Sequence, residues 1–259
     1  IPERVTLPGN HDIALFNVFE RLLVPYRSYR RAFGAAHDAV FDAVGVRIVS
    51  VDSTRAYRHV DGELSAGQIE TVARALDSAP GGALRIVMLH HPVEVSRPDE
   101  THNRVHGHRE AVMRWRAAGA DLILGGHIHL PFVRRLDGDG LRTAWAVQAG
   151  TAVSHRVRPG VPNSVNVVRW QAAQGACAVE QWDHVATENA FEQVRVTRLQ
   201  PARCGAPPQR QPKISVRCAA APAMAPAPTE MATLPAARAA SPQANTPGTV
   251  VACMASVRM

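Results

Sequence analysis

The chain has 259 residues, 46% of them hydrophobic, enough for a full core and one or two domains. Its net charge of +7 divides unevenly: residues 1–199 carry 23 Arg against 21 acidic residues, a net of +2, and residues 200–259 hold the remaining +5. A nearly neutral body does not steer polyanions, so a nucleic-acid partner is not indicated, and no stretch approaches the roughly 18 consecutive apolar residues of a membrane span.

In chain order, residues 1–10 read as the end of a strand and a turn, punctuated by Pro8-Gly9. Residues 13–33 read as helix, interrupted at Pro25. Val46–Val51 reads as a strand ending at Asp52. Ser65 is a helix-capping residue type placed before 66–78, where Ile69, Val72, Ala73 and Leu76 share one face. Leu84–Leu89 is a short apolar run that delivers His90. A helix is predicted over 107–118, and Asp121–Leu124 is a second apolar run that delivers Gly125-Gly126-His127-Ile128-His129. From there the pattern changes to strands alone: Phe132–Leu136, Thr143–Gln148, Val165–Trp170, Ala178–Trp182 and Phe191–Leu199, with turn signals such as Asp137-Gly138-Asp139-Gly140 and Pro159-Gly160. Alternating strands and helices followed by a meander imply a layered α/β domain with further strands packed against it.

Residues 1–199 are therefore read as one domain and residues 200–259 as an Ala/Pro-rich tail. The tail holds ten of the 19 Pro and no aromatic residue, a composition expected to stay disordered because it buries too little apolar surface. Of the four Cys only Cys177 lies in the body, and no CxxC pair exists. Neither a thiolate zinc site nor a disulfide framework is indicated, and a reducing, cytoplasmic setting is expected. The chain opens on Ile1, so its native N-terminus is expected to lie upstream.

The chemistry is carried by three histidine motifs. Gly9-Asn10-His11-Asp12, His90-His91-Pro92 and Gly126-His127-Ile128-His129 each follow a predicted strand. In open α/β sheets, ligands gather beyond the carboxyl ends of strands, so the three arrivals can converge. Imidazoles with a neutral amide oxygen suit Mn, Fe or Zn. Asn10 supplies such an oxygen, and His11 is placed to act as a general acid with Asp12 accepting a hydrogen bond from its ring. Taken singly, each motif is more often a structural turn than a site; taken together and in this order they form a set.

The set resembles the calcineurin-like metallophosphoesterase superfamily, and within it the bacterial branch that includes class III cyclic nucleotide phosphodiesterases. Val51-Asp52-Ser53, Gly62–Leu76 and Ala149-Gly150-Thr151 fit the same resemblance, which covers roughly residues 5–199. It implies a four-layer αββα sandwich with two divalent transition metals at the sheet edge, here without its first strands and helices. It implies Asn10, His90 and His127 as ligands of one metal and His129 of the other, with His11 as the catalytic acid oriented by Asp12. The implied reaction is attack of a metal-bridging hydroxide on a small-molecule phosphodiester such as a cyclic nucleotide. His91 is a candidate substrate contact, with a structural role equally open, and His155 and Arg156, which follow Ala149–Ser154, are candidates to approach a phosphate.

The chain departs from the family's pattern in one respect. It contains no Asp-x-His, and its only Gly-Asp, Gly138-Asp139, lies after the last motif. The carboxylate that bridges the two metals in the family is thus missing, which supports a second reading: an inactive fragment or a metal-binding interaction module. A barrel hydrolase built around His127-Ile128-His129 is disfavoured, since a barrel needs strand–helix alternation to the end. Tyr26–Arg31, with three Arg and two Tyr, reads as a solvated helix face. His37, His59, His102 and His184 have no partner pattern, and His106-Gly107-His108 reads as a polar loop.

Overall fold

The computed structural model describes residues 4–14, 18–34, 39–58, 60–137, 140–201, 215–217 and 249–254. His37, His59 and Gly138-Asp139 lie outside the described residues. The elements run α1 (Val18–Leu23), α2 (Arg27–Phe33), β1 (Ala39–Ala43), β2 (Val46–Ser50), α3 (Ala66–Asp77), β3 (Leu84–Met88), α4 (His108–Ala117), β4 (Leu122–Gly125), β5 (Phe132–Leu136), β6 (Ala144–Gln148), β7 (Ser164–Gln171), β8 (Ala176–Val185), β9 (Ala190–Leu199), β10 (Ser215–Arg217) and β11 (Thr249–Met254).

The strands form two sheets. The six-stranded sheet has the order β1-β2-β3-β4-β6-β5, and its four central strands are parallel, with β1 and β5 antiparallel at the edges. The five-stranded sheet has the order β10-β11-β7-β8-β9. Period-two alternation explains how the two halves meet. Ile48, Ile86, Met88, Leu122, Leu124 and Val147 point from the first sheet into a core shared with Val168, Trp170, Cys177 and Val179 of the second. Their neighbours Val49, Val87, Ile123 and Ala146 point the other way, into a core with Ile69, Val72, Ala73 and Leu76 of α3 and Trp115 of α4. Both faces of β3 and β4 are thus apolar, as expected of buried parallel strands.

Two indoles tie the layers together. Trp170 Nε1 donates to the carbonyl of Gly45 at 2.9 Å, and Trp115 Nε1 to the carbonyl of Ile69 at 3.0 Å. Helix α3 starts where the sequence places it: the Ser65 hydroxyl accepts from the Gln68 N–H at 3.2 Å, and the Gln68 side chain accepts from the Ser65 N–H at 3.1 Å. The Gln68 amide also donates to the carbonyl of Asp52 at 2.8 Å, locking the helix start to the end of β2.

The α/β sandwich is the expected architecture. Helices α3 and α4, the first sheet and the second sheet stack in that order. Helices α1 and α2 anchor on the segment after β2, so the described residues build three of the four layers that the resemblance implies. Four details differ from the sequence reading. Residues 4–9 form no strand, although Val5 is buried in the inter-sheet core. Strand β1 has no counterpart in the prediction, because its half-exposed alternation is weak and its partner β2 specifies it. Two segments of the tail expected to be disordered, β10 and β11, are strands, with β11 paired to β7 through residues such as Val250 opposite Trp170. Strand β8 is longer than predicted and bulges at Gln181/Trp182.

Candidate metal centre

The carboxyl ends of β2, β3, β4 and β6 lie side by side, and each delivers part of one constellation. After β2 come Asp52 and Ser53, after β3 His90 and His91, after β4 His127 and His129. Gln148 ends β6. The loop ends are laced together by backbone bonds: Gly126 N–H donates to the His90 carbonyl at 2.8 Å, and Ala149 N–H to the Gly125 carbonyl at 2.8 Å. The Gln148 side-chain amide donates to the Gly126 carbonyl.

Asn10–Asp12 form one turn of 3-10 helix, closed twice: Asp12 N–H donates to the Gly9 carbonyl at 3.0 Å, and the Asp12 carboxylate accepts from the Gly9 N–H at 2.7 Å. This turn presses its Gly9 backbone on the His90 ring. A methyl group at Gly9 would stand 2.7 Å from His90 Cε1. Only glycine permits that approach. The result brings Asn10 Oδ1 to 3.1 Å from His90 Nε2 across 80 residues of sequence. The ring centroids of His90 and His127 are 5.2 Å apart.

His127 and His129 have φ of +70° and +53°, a left-handed backbone that side chains rarely adopt. Such conformations cost about 1–3 kcal/mol each and persist where surrounding structure holds them, commonly at functional sites. The holding contacts are visible. Ile128 N–H donates to the Gly126 carbonyl at 2.8 Å, and Arg158 Nε donates to the Ile128 carbonyl at 2.6 Å while its guanidinium pairs with buried Glu100. His129 Nδ1–H donates to the Arg156 carbonyl at 3.0 Å. That bond fixes the tautomer and leaves Nε2 as the acceptor nitrogen of the neutral ring, the arrangement metal-binding histidines use.

Electrostatics disfavour the charged form of the adjacent His90 and His91 imidazoles. Burial holds the His90 imidazole well below its ordinary range, and His91, His127, His11 and His129 add to the effect in that order. All five histidines of the three motifs thus share one neighbourhood. Burial pushes His91 down to about 3, with His127 contributing. Neutral imidazole is the form that binds a metal. Burial raises Asp12, against the Gly9 N–H and with the help of nearby Asp52.

His90, His91 and His127 place one donor nitrogen each within 4.8 Å of one another. His91 is nevertheless a poor ligand. It is fully buried; its Nδ1 sits 2.9 Å from Ser53 Oγ and its Nε2 3.0 Å from the Val60 carbonyl. A carbonyl only accepts, so Nε2 carries the proton and Ser53 donates to Nδ1. Both ring nitrogens are thereby engaged. The ring packs edge-on against His90 at 4.9 Å and tilted against His127 at 4.7 Å. The sequence left His91 between a substrate contact and a structural role; its two engaged nitrogens and its packing against both neighbouring rings favour the structural one.

Asp12 differs too. Its hydrogen bond goes to the Gly9 N–H and closes the turn, rather than to the ring of His11. Arg156 contributes its carbonyl to His129, while His155 and the Arg156 side chain lie on the exposed rim. The His106 side chain is exposed, 3.9 Å from Asp61. Sequence reasoning missed Ser53, Gly62 and Arg158 as site residues. Their roles depend on contacts over 38, 29 and 30 positions, which no local pattern encodes.

A family model of calcineurin-like phosphoesterases matches residues 2–131, from ahead of the Gly-Asn-His-Asp turn to just past His129. The chain belongs to the calcineurin-like phosphoesterase family. A search of curated proteins found no match. The donor set of this phosphoesterase fits one divalent ion: a hard amide oxygen on Asn10 and neutral imidazoles on His90 and His127, gathered at one edge. The chain contains no Asp-x-His, and its Gly138-Asp139 lies outside the described residues. No helix of the described residues is long and apolar enough to cross a membrane.

Proposed function

We propose that the chain hydrolyses a phosphodiester of a small molecule, such as a cyclic nucleotide, in a metal-dependent reaction. The observation that carries the reading is the convergence of Asn10, His90, His127 and His129 on one sheet edge, two of them on left-handed backbone. The phosphodiester choice rests on the resemblance to class III cyclic nucleotide phosphodiesterases. Asn10, His90 and His127 would hold one ion, with His129 facing a second in a binuclear centre. A divalent ion there supplies Lewis-acid polarisation of a phosphoryl oxygen.

The chain's own residues do the rest. His11, in the same turn as Asn10, donates its proton to the leaving ester oxygen. One P–O bond forms to water as the ester P–O bond breaks, and the proton from water is released to solvent. The Gly9–Asp12 turn fixes His11 relative to Asn10 through its two closing bonds. His91 keeps the His90 and His127 rings in place from below.

The test combines metal stoichiometry and hydrolysis of bis(p-nitrophenyl) phosphate on chelator-stripped protein reloaded with Mn or Zn. Metal-dependent turnover that His11→Ala removes while metal content stays is the expected result. Absence of turnover with either metal overturns the reading. Metal binding without turnover favours the second reading, a metal-binding interaction module, which the lack of Asp-x-His motivates.

A further inference from the structure

Helix α1 is built inside out. In its sequence Val18-Phe19-Glu20-Arg21-Leu22-Leu23, the charged Arg21 is buried at 6% exposure, while Phe19 and Leu23 are 79% and 77% exposed. Arg21 is held by its whole guanidinium. Nε donates to the Ala56 carbonyl at 2.5 Å, Nη1 to the Ala14 carbonyl at 3.2 Å and Nη2 to the Arg58 carbonyl at 2.7 Å. These bonds fix the rotation of the helix. Phe19 and Leu23 stand two residues to either side of Arg21, roughly 200° around the helix, and so point directly outward. Val18, Leu22 and Val24 widen the patch. An amphipathic helix on a globular body ordinarily does the reverse.

Helix α2 repeats the logic with charge. Tyr29 is buried and its hydroxyl donates to Thr6 Oγ1 at 2.8 Å; the Tyr26 hydroxyl meets Thr54 Oγ1 at 2.6 Å. Arg27 and Arg31 lie two residues to either side of Tyr29 and are exposed, as is Arg30. Among residues 18–34 the one acidic residue is Glu20. Both helices rest their inner faces on one floor, the segments around Thr6 and Thr54–Arg58, so an apolar surface and a basic surface adjoin on the outside.

We propose that the α1–α2 pair is a docking surface for an anionic lipid bilayer. Exposed apolar side chains beside arginines supply the two signals, acyl-chain insertion and headgroup attraction, that hold a protein on a membrane without spanning it. A second copy of the chain suits the patch less well, since a two-fold contact would bring two copies of the same basic surface into one interface. Nucleic acid suits it less well, because beyond Phe19 the apolar face is aliphatic, and Leu22, Leu23 and Val24 offer nothing to phosphates or to stacked bases.

The test is co-sedimentation of the full chain with vesicles of phosphatidylcholine containing phosphatidylglycerol, beside vesicles of phosphatidylcholine alone. Wild type binds the anionic vesicles and leaves the neutral ones largely unbound. F19S/L23S and R27A/R31A each lower the partition coefficient by about tenfold or more, with unchanged melting temperature because the four side chains face outward. The basic residues of 200–259 are present in every variant, so binding that survives both double substitutions belongs to them and overturns the proposal. Equal binding to neutral vesicles, or none to either, overturns it as well. So does a dimer, seen by sedimentation velocity, that F19S/L23S dissolves without any vesicle binding. None of these readouts involves metal or turnover, so they are independent of the proposed hydrolysis.

Discussion

Gly62→Ala and Gly67→Ala are the same chemical change five residues apart, and the structure predicts opposite signs. A methyl group on Gly62 would overlap the ring of His91 at Nδ1, Cγ and Cε1, whereas one on Gly67 would meet only Ser65 Oγ at 4.0 Å. Gly62 does not have a positive φ, so alanine's backbone preference is not at issue and the test is steric. The His91 ring cannot swing aside cheaply, because Ser53 and the Val60 carbonyl hold its two ends. Overpacking of this kind costs about 1–3 kcal/mol, and breaking a bond to a buried ring nitrogen costs a further ~1–3 kcal/mol. A loss of about 3 kcal/mol lowers the melting temperature of a domain this size by roughly 6–12 °C. Gly67, exposed in the first turn of α3, gains up to about 1 kcal/mol on becoming alanine. Thermal unfolding reads both signs. Because His91 underlies the His90 and His127 rings, Gly62→Ala also weakens metal binding by about tenfold or more, measured by titration calorimetry. Equal melting temperatures for wild type and Gly62→Ala would refute the steric argument. A destabilised Gly62→Ala with unaltered metal affinity would refute the role assigned to His91.

Three further outcomes follow from the same contacts. Substituting Asn10, His90 or His127 by Ala lowers affinity for Co or Zn by about two orders of magnitude, whereas Ser53→Ala acts first on stability, by about 1–3 kcal/mol, because it strands His91 Nδ1 in the interior; metal titration and urea unfolding separate the two classes. His91 has a pKa of about 3 in the folded chain, against about 6.5 when unfolded. Between those values the unfolded chain binds the proton and the folded chain does not, so His91 weakens stability as pH falls, by up to about 1.4 kcal/mol per unit; His91→Gln removes about one proton from the slope measured by urea unfolding between pH 7 and 4. Arg142→Met leaves the Asp121 carboxylate buried without the guanidinium now 2.6 Å away, a loss of about 3–5 kcal/mol by chemical denaturation, while metal content stays, since the pair sits at the far end of β4 from His127.

The sheet was legible in the sequence wherever period or punctuation was strong. Leu84–Leu89 and Asp121–Leu124 are apolar on both faces and fall on β3 and β4, and the Ser65 cap fixes the start of α3. Strand β1 was not legible, because Ala39–Ala43 alternates only weakly and gains its identity from pairing with β2. Thr249–Met254 reads locally as a strand, yet the surrounding Ala/Pro composition hides it. At the site, the meeting of the second and third motifs followed from strand-end placement, whereas the Gly9–Asp12 turn arrives on a segment that forms no strand. The division of labour between His90 and His91 did not follow from placement: the residues are adjacent and identical, and only Ser53, the Val60 carbonyl and Gly62 tell them apart. The partner of Asp12 was equally hidden: its carboxylate closes its own turn by accepting from the Gly9 N–H.

The left-handed His127-Ile128-His129 turn is not a portable unit. Its backbone is held by the His90 carbonyl, by Arg158 across 30 positions and by Arg156 across 27. A synthetic peptide of those residues, or the same three grafted after a strand of another protein, would relax to ordinary φ and spread the two imidazoles. The chelating power belongs to the scaffold around the tripeptide, which limits what can be inferred from Gly-His-x-His in isolation and sets the minimum size of any miniature version of this centre.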